Sequence, residues 1–192
     1  PSVTSILSAT SDKSGILAWR EAIGAKKADE IVKKSTNIGS LMHDSLEKFL
    51  LGESMVTGSN PIRVHARQMA EIMVERNLKG RLTEIYGLEA NLFYEGLWSG
   101  CTDCVGIYDG QLSIVDFKNA RKEKKEEYIH DYKLQICAYA LAYEHLFGEP
   151  VNQGVILVVT QDFKDQKFIL NKQDMDKYKN EWIDRVEQYY NS

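Results

Sequence analysis

The stretch from Leu97 to Lys118, LWSGCTDCVGIYDGQLSIVDFK, decides the fold. Its two halves are rich in β-branched and aromatic residues, and they flank Asp109-Gly110, a dipeptide suited to the type I′ turn of a tight hairpin. Side chains alternate faces along a strand, so Asp116 and Lys118 point the same way as Leu112 and Ile114. A carboxylate and an ammonium then share one inner face with apolar residues. Burying such charges is costly unless something pairs with them, and a divalent cation with a phosphate is one such partner. Asp103 shares a strand face with Cys101, Val105 and Ile107, and the hairpin sets it beside the strand that carries Asp116. Two carboxylates on neighbouring strands can grip Mg²⁺ or Mn²⁺, and the carbonyl of Phe117 could add a further oxygen. Lys118 can orient an attacking water and stabilise charge on a phosphorane. Taken alone, an Asp-x-Lys tripeptide also suits a solvated ion pair; the apolar neighbours on its own face set this one apart.

Outward from the hairpin, periodicity sets the order of elements. A polar, Ser- and Thr-rich start from Pro1 to Ser14 precedes a helical pattern over about residues 15–34, whose apolar face is thin. Ile38, Leu41, Met42, Leu46, Phe49 and Leu50 then recur at helical spacing, which predicts a separate amphipathic helix over about 37–51. Asn60-Pro61, a capping residue with proline at the first helical position, opens a third helix that ends near Gly80. From Leu82 the period becomes two, and Leu88, Ala90 and Leu92 alternate with Glu89, Asn91 and Phe93 along a first strand. After the hairpin and a charged segment from Asn119 to Glu127, a helix over about 128–147 carries Tyr132, Ile136, Tyr139 and Tyr143 on one stripe. Gly148 and Pro150 stop it. Val155-Ile156-Leu157-Val158-Val159 is apolar throughout, as a central strand requires, and a short strand at about 167–170 and a helix over about 172–190 close the chain. An antiparallel meander plus a later central strand makes an α/β sandwich, a mixed sheet with helices on both faces. A single domain of 192 residues accommodates it, with 1–36 as a helical extension, 37–170 as the core and 171–192 as the C-terminal helix.

Composition narrows the classes. With 24 Lys plus Arg against 28 Asp plus Glu, the chain lacks the bulk positive charge of a protein that coats nucleic acid. A local basic groove remains compatible with that balance. Three cysteines, an odd number in a chain with no signal-like apolar stretch, favour a reducing intracellular compartment without disulfides. Cys101 and Cys104 differ by an odd offset, which sends them to opposite strand faces and makes them packing residues rather than a ligand pair. No run approaches the ~18 apolar residues of a membrane span, so no membrane partner is expected. The chain starts at Pro1 and not at methionine, which leaves room for upstream residues, any targeting sequence among them.

Further residues gather around the carboxylates. Gly39, His43 and Glu47 stand at offsets of four, and on a helical wheel His43 falls at the rim of the apolar arc, where a side chain reaches into a cleft. A neutral imidazole there suits Mn²⁺-type sites as well as a structural role. Glu89 either adds a ligand or faces solvent. Gln135 and Tyr139 lie one helical turn apart, and the amide of Gln135, next to an apolar stripe, needs a partner such as a phosphate, a base edge or Lys118.

Together these residues resemble the PD-(D/E)XK nuclease superfamily and, within it, the RecB-like exonuclease branch. His43, Asp103, Asp116-Phe117-Lys118 and Gln135-Ile136-Cys137-Ala138-Tyr139 stand in the order of that branch's motifs. Pro1-Ser2-Val3-Thr4, Leu88-Glu89 and Val155-Ile156-Leu157-Val158-Val159 look closer still to the exonucleases of mitochondrial genome maintenance and their phage relatives, so the similarity spans nearly the whole chain. The resemblance implies a restriction-endonuclease-like core and a metal-dependent exonuclease that prefers single-stranded DNA. It implies one or two Mg²⁺ or Mn²⁺ ions held by His43, Asp103, Asp116 and the Phe117 carbonyl, with Glu89 in a secondary role and Lys118 catalytic. Gln135 and Tyr139 would support the site or contact DNA. An iron-sulfur cluster is not expected, because such branch members need four cysteines and this chain has three. A monomer is expected, in a phage-infected bacterial cytoplasm or a mitochondrial matrix.

A single strand is held by a basic track with aromatic or polar platforms. Arg121, Lys122, Lys124 and Lys125 follow the active strand, and Lys26, Lys27, Lys33 and Lys34 lie on the N-terminal helix. Either group is also a plausible solvated face, since Glu123, Glu126 and Glu127 dilute the first. In the family the N-terminal helices arch over the site, which would thread a free end and exclude duplex. The competing readings are a structure-selective endonuclease on the same core and an inactive nucleic-acid-binding subunit.

Overall fold

In a computed structural model that describes residues 1–192, Asp109 and Gly110 adopt φ of 47° and 81°, the positive values that a type I′ turn demands at both central positions. The chain runs α1 (Val3–Thr10), α2 (Ser14–Ile23), α3 (Ala25–Leu50), α4 (Pro61–Met73), β1 (Leu82–Tyr94), β2 (Trp98–Tyr108), β3 (Gln111–Ala120), α5 (His130–Phe147), β4 (Gln153–Thr160), β5 (Asp165–Leu170) and α6 (Lys172–Tyr190). The strands form one sheet in the order β1-β2-β3-β4-β5, parallel between β3 and β4 and antiparallel elsewhere. This is the restriction-endonuclease-like core of helix, three-strand meander, helix and strand.

The period of two sorts the apolar residues of β3 and β4 into two cores. Ile114, Ile156 and Val158 join a layer with α1, α5 and α6, whereas Val115, Phe117, Val155, Leu157 and Val159 pack with Ile38, Met42 and Leu46 of α3 and Met69 and Met73 of α4. All eight residues of β4 are buried, which is why the sequence there carries no polar alternation. In the first layer Trp98 donates its indole N–H to the carbonyl of Ala138 at 3.1 Å and meets Trp182 edge to face. The buried indole thus keeps its polar atom satisfied while filling the layer.

The structure corrects the expected elements in three places. The polar start of the helical extension holds a helix of its own that the periodicity does not mark: Ser2 caps α1 by accepting from the Ser5 N–H, and Val3, Ile6 and Leu7 are buried at helical spacing. Tertiary burial outweighs the weak helix propensity of its Ser and Thr residues. The helix break comes at Gly24 (φ 83°) and not near residue 35, so α3 is continuous over 26 residues. Ser35-Thr36-Asn37 contains neither glycine nor proline, and only glycine reaches the Gly24 conformation without strain. Finally, Leu88 and Leu92 do not share a layer, since Leu88 packs on the α3/α4 side and Leu92 on the α5 side. Glu89 lies between them with φ of 43°, a left-handed backbone that interrupts the alternation.

The close pairing of β1 and β2 depends on Gly106, where a Cβ would stand 2.2 Å from the carbonyl oxygen of Glu84. A backbone atom cannot yield as a flexible side chain does. Gly106→Ala should therefore lower stability by roughly 1–3 kcal/mol or more, read as a fall in the urea midpoint. An unchanged midpoint would show that the two strands separate freely.

Candidate metal centre and cleft

The site lies where the sheet divides. Pairing between β2 and β3 ends at Cys104↔Val115; beyond it β2 continues with β1 as far as Tyr94↔Trp98, and β3 continues with β4 as far as Ala120↔Thr160. Asp103 is the first residue of β2 past that fork. One of its oxygens accepts the Phe117 N–H at 2.6 Å, where a ladder bond would otherwise run, and the other lies 3.2 Å from Nδ1 of His43. The carboxylate thereby ties both strands to α3.

On β3, Asp116 and Lys118 point to the α5 side, as the alternation with Ile114 predicts. Asp116 is 2% exposed, and its Oδ2 lies 2.7 Å from Nζ of Lys118. Lys118 also donates to Oε1 of Gln135 at 2.9 Å, and Gln135 donates its other end to the Tyr139 hydroxyl at 3.2 Å. The partner that the Gln135 amide needs is therefore the lysine. Tyr132 is a site residue that sequence reasoning assigned to the core alone, for its ring centroid is 4.9 Å from Nζ of Lys118. Its offset of three from Gln135, with Tyr139 four further on, places all three on one face of α5, and that spacing was the available signal.

Two glycines let the surrounding helix and ring approach. A Cβ at Gly39 would stand 2.6 Å from Oδ1 of Asn119, whose amide donates to the Ser35 carbonyl at 3.0 Å. This contact lays α3 on the end of β3 and sets His43, one turn later, above Asp103. A Cβ at Gly100 would stand 2.8 Å from the Tyr139 ring, so Tyr139 also depends on bare backbone in β2.

His43, Glu89 and Asp103 bring their potential ligand atoms within 4.8 Å of one another. Asp116 is adjacent but turned to Lys118, and its buried Oδ2 has no well-aligned hydrogen-bond donor. One imidazole and three carboxylates are a donor set suited to Mg²⁺ or Mn²⁺, and Oδ2 of Asp116 beside them, which has the Lys118 ammonium but no aligned hydrogen bond, is a further oxygen that a cation would engage. Glu89 thus joins the cluster as a ligand candidate, and its left-handed φ falls at the site itself. Cys101, exposed, donates its thiol to Oε2 of Glu89 at 3.4 Å, while Cys104 is buried in the layer with α3 and α4.

Electrostatics follow from this crowding. Burial, with Asp103 adding repulsion, pushes Asp116 up to about 6 despite the opposing charge of Lys118. For Asp103, burial favours the protonated form, yet His43, Lys118 and the Phe117 N–H together hold it below the usual carboxylate range. His43 is raised, because the hydrogen bond and charge of Asp103 outweigh burial. Glu89 is raised by burial and by Asp103. Lys118 is also raised, since Asp116 and Asp103 overcome its burial.

A cleft of about 610 Å³ opens over these groups, lined by His43, Asp44, Glu47, Glu89, Asp103 and Lys118 among others. Arg121, Lys122 and Lys124 line a neighbouring cavity, which shares Thr36 and Asn119 with the cleft. Lys125 points elsewhere, pairing with Glu127 at 3.9 Å. Lys26, Lys27, Lys33 and Lys34 are exposed on α3, and none lines either cavity. No helix is long and apolar enough to cross a membrane.

A family model described as the PD-(D/E)XK nuclease superfamily matches residues 17–192. Mitochondrial genome maintenance exonuclease 1 of Mus musculus is 27% identical over 98% of this chain and 58% of its own length, and that of Homo sapiens is 24% identical over the same shares. The chain thus spans under three fifths of these curated relatives. A crystal structure from Eubacterium rectale, named as a candidate exonuclease, aligns with 81% of this chain and 64% of its own at a TM-score of 0.53 and 13% identity, a likeness of fold.

Because Asp116, His43 and Glu89 all hold protons more tightly than usual, a cation must displace protons to bind. Mn²⁺ affinity should rise with pH and level off once the carboxylates and the imidazole have lost their protons. Below the value of about 6 reached by Asp116, it should fall about tenfold per pH unit for each proton displaced. Calorimetry in buffers of different ionisation enthalpy measures both the affinity and the protons released. A pH-independent affinity without proton release would contradict this.

Proposed function

The chain belongs to the PD-(D/E)XK nuclease superfamily, and from that premise we propose that it is a Mg²⁺- or Mn²⁺-dependent deoxyribonuclease that digests single-stranded DNA from a free end. The observation that carries the reading is the fork in the sheet, which gathers Asp103 and Lys118 near His43 at an open cleft, with Asp116 buried beside Lys118 just beneath it. A purely structural sheet has no use for an ion pair buried between apolar residues at that point.

In this reading His43, Glu89, Asp103 and Asp116 would hold the cation, with the Phe117 carbonyl as a further oxygen. When bound, it would supply Lewis acidity at phosphoryl oxygen and lower the pKa of water from ~15.7 towards ~7. The chain's own residues do the rest. Lys118 keeps its proton against burial and so serves as a donor to the charge that develops on the phosphorane. Gln135 fixes the direction of that ammonium through its carbonyl oxygen, and Tyr139 fixes Gln135 in turn. The Tyr132 ring lies against the ammonium and limits its swing. Substrate hydrolysis then requires no side-chain nucleophile.

Preference for a free single-stranded end is supported by α2, which has no buried residue and stands with the first half of α3 outside the sandwich. The free thiols, with Cys101 exposed, fit a reducing compartment.

Lys118→Ala and Asp116→Ala should each lower the digestion rate by at least about 10²–10³-fold with the circular dichroism spectrum retained. The assay is a Mg²⁺ time course on linear single strands labelled at either end, with a closed-circular strand beside them. An intact circle identifies an exonuclease and a nicked one the endonuclease alternative. Digestion retained in both variants would sink the assignment.

A further inference from the structure

Next to the cleft lies a second cavity of about 630 Å³, lined by three residues of the expected basic track and by two aromatic residues with no role so far. One wall is Trp19 of α2 with Ile31, Val32, Ser35 and Thr36 of α3; the other is the segment after β3, from Asn119 to Lys124, with Tyr128. Its volume falls within the roughly 300–1,000 Å³ of ligand sites. Three observations bear on what enters it.

The first is the aromatic content of a surface that the core does not claim. Trp19 is half-buried and Tyr128 is 64% exposed, in contrast to Trp98 and Trp182, which are 3% and 0% exposed. Helix α2 leaves Ile16 and Leu17 more than half exposed as well, so it is not held down by the packing that fixes the other helices. The second is charge. Arg121, Lys122 and Lys124 form no ion pair, while Glu123, the one acid in the wall, is taken by Lys164 at 3.0 Å. The loop that carries these cations is itself anchored: Gln166 accepts from the Lys124 N–H at 2.7 Å and donates to its carbonyl at 3.0 Å, and the Gln161 N–H bonds the Ala120 carbonyl at 2.8 Å. The third is continuity, because Thr36 and Asn119 line both cavities and Asn119 follows Lys118 directly.

Flat rings on both walls and unpaired cations on the anchored one, next to the candidate phosphodiester site, match a nucleotide chain: bases stack on the rings and phosphates meet the cations. We propose that this cavity is a base-stacking subsite for single-stranded DNA, in which Trp19 and Tyr128 hold nucleobases while Arg121, Lys122 and Lys124 hold the adjoining phosphates, so that the strand is gripped next to the bond to be cut. The proposal rests on the nuclease reading for the identity of the strand. It explains a single-strand preference in physical terms, since bases already stacked and paired in a duplex cannot spread between two walls.

The test separates the two readings. The full chain carrying Lys118→Ala is titrated in Mg²⁺ with oligo(dT) and with an abasic oligomer of equal length, following tryptophan emission and, independently, fluorescence anisotropy of a labelled strand. With Trp98 and Trp182 buried, quenching reports Trp19. We expect oligo(dT) to quench, and the abasic strand to bind about tenfold more weakly without quenching. Trp19→Ala and Tyr128→Ala should each cost about five- to tenfold in oligo(dT) affinity, with Trp19→Phe and Tyr128→Phe restoring most of it. With Lys118 intact, the same losses should fall on KM rather than kcat. Equal binding of both strands, or unaltered affinity in both alanine variants, overturns the subsite even if the chain cuts DNA. Emission that shifts with protein concentration in the absence of DNA assigns the face to a second copy and overturns it as well. Quenching by oligo(dT) with no cleavage by the unsubstituted chain supports the subsite while removing the nuclease reading.

Discussion

The structure depends on β3 being buried on both faces while carrying Asp116 and Lys118. A charged pair at that depth does not stabilise the fold by itself, because the desolvation of two ions offsets their attraction. Its surroundings compensate in part. Lys118 has Gln135 and the Tyr132 ring, and Oδ2 of Asp116 has the Lys118 ammonium at 2.7 Å though without an aligned hydrogen bond. A sheet of this length could hold two more aliphatic residues at those positions with less cost. The charges persist against the packing preference of the layer, which is the physical mark of a site.

The same strand explains why helices on opposite faces converge on one cleft. Alternation sends Asp116 and Lys118 towards α5, and Phe117 between them towards α3, where it meets His43 edge to face. Only the fork between β2 and β3 allows groups from the two faces to meet, because there no ladder separates them. Asp103 occupies that gap and bonds to both sides. The bare backbone of Gly39 and Gly100 completes the approach by admitting Asn119 and Tyr139 at distances that a Cβ would forbid.

Much of this was legible in residue order. Asp109-Gly110 announces a hairpin through its positive φ, the alternation of Leu112, Ile114, Asp116 and Lys118 assigns a face, and the offset of four between Gln135 and Tyr139 assigns another. These are local rules, in which backbone geometry alone sets direction. The errors arose where a distant partner overrides a local preference. Val3, Ile6 and Leu7 form a helix despite their Ser and Thr neighbours because β2, α5 and α6 bury them. Leu88 and Leu92 part company because Glu89 adopts a left-handed backbone that no propensity would suggest for it.

By itself, the sequence determined the class of fold, the faces of β3 and the list of groups able to do metal-dependent chemistry, because period and turn chemistry act within a few residues. Tertiary structure alone decided which of those groups meet. It brings Glu89 to His43 and Asp103, turns Asp116 to Lys118, and sets Arg121, Lys122 and Lys124, but not Lys26, Lys27, Lys33 or Lys34, along the cavity next to the cleft. Such choices depend on where a ladder ends and where a glycine admits a neighbour, and both are set by contacts between residues far apart in the chain.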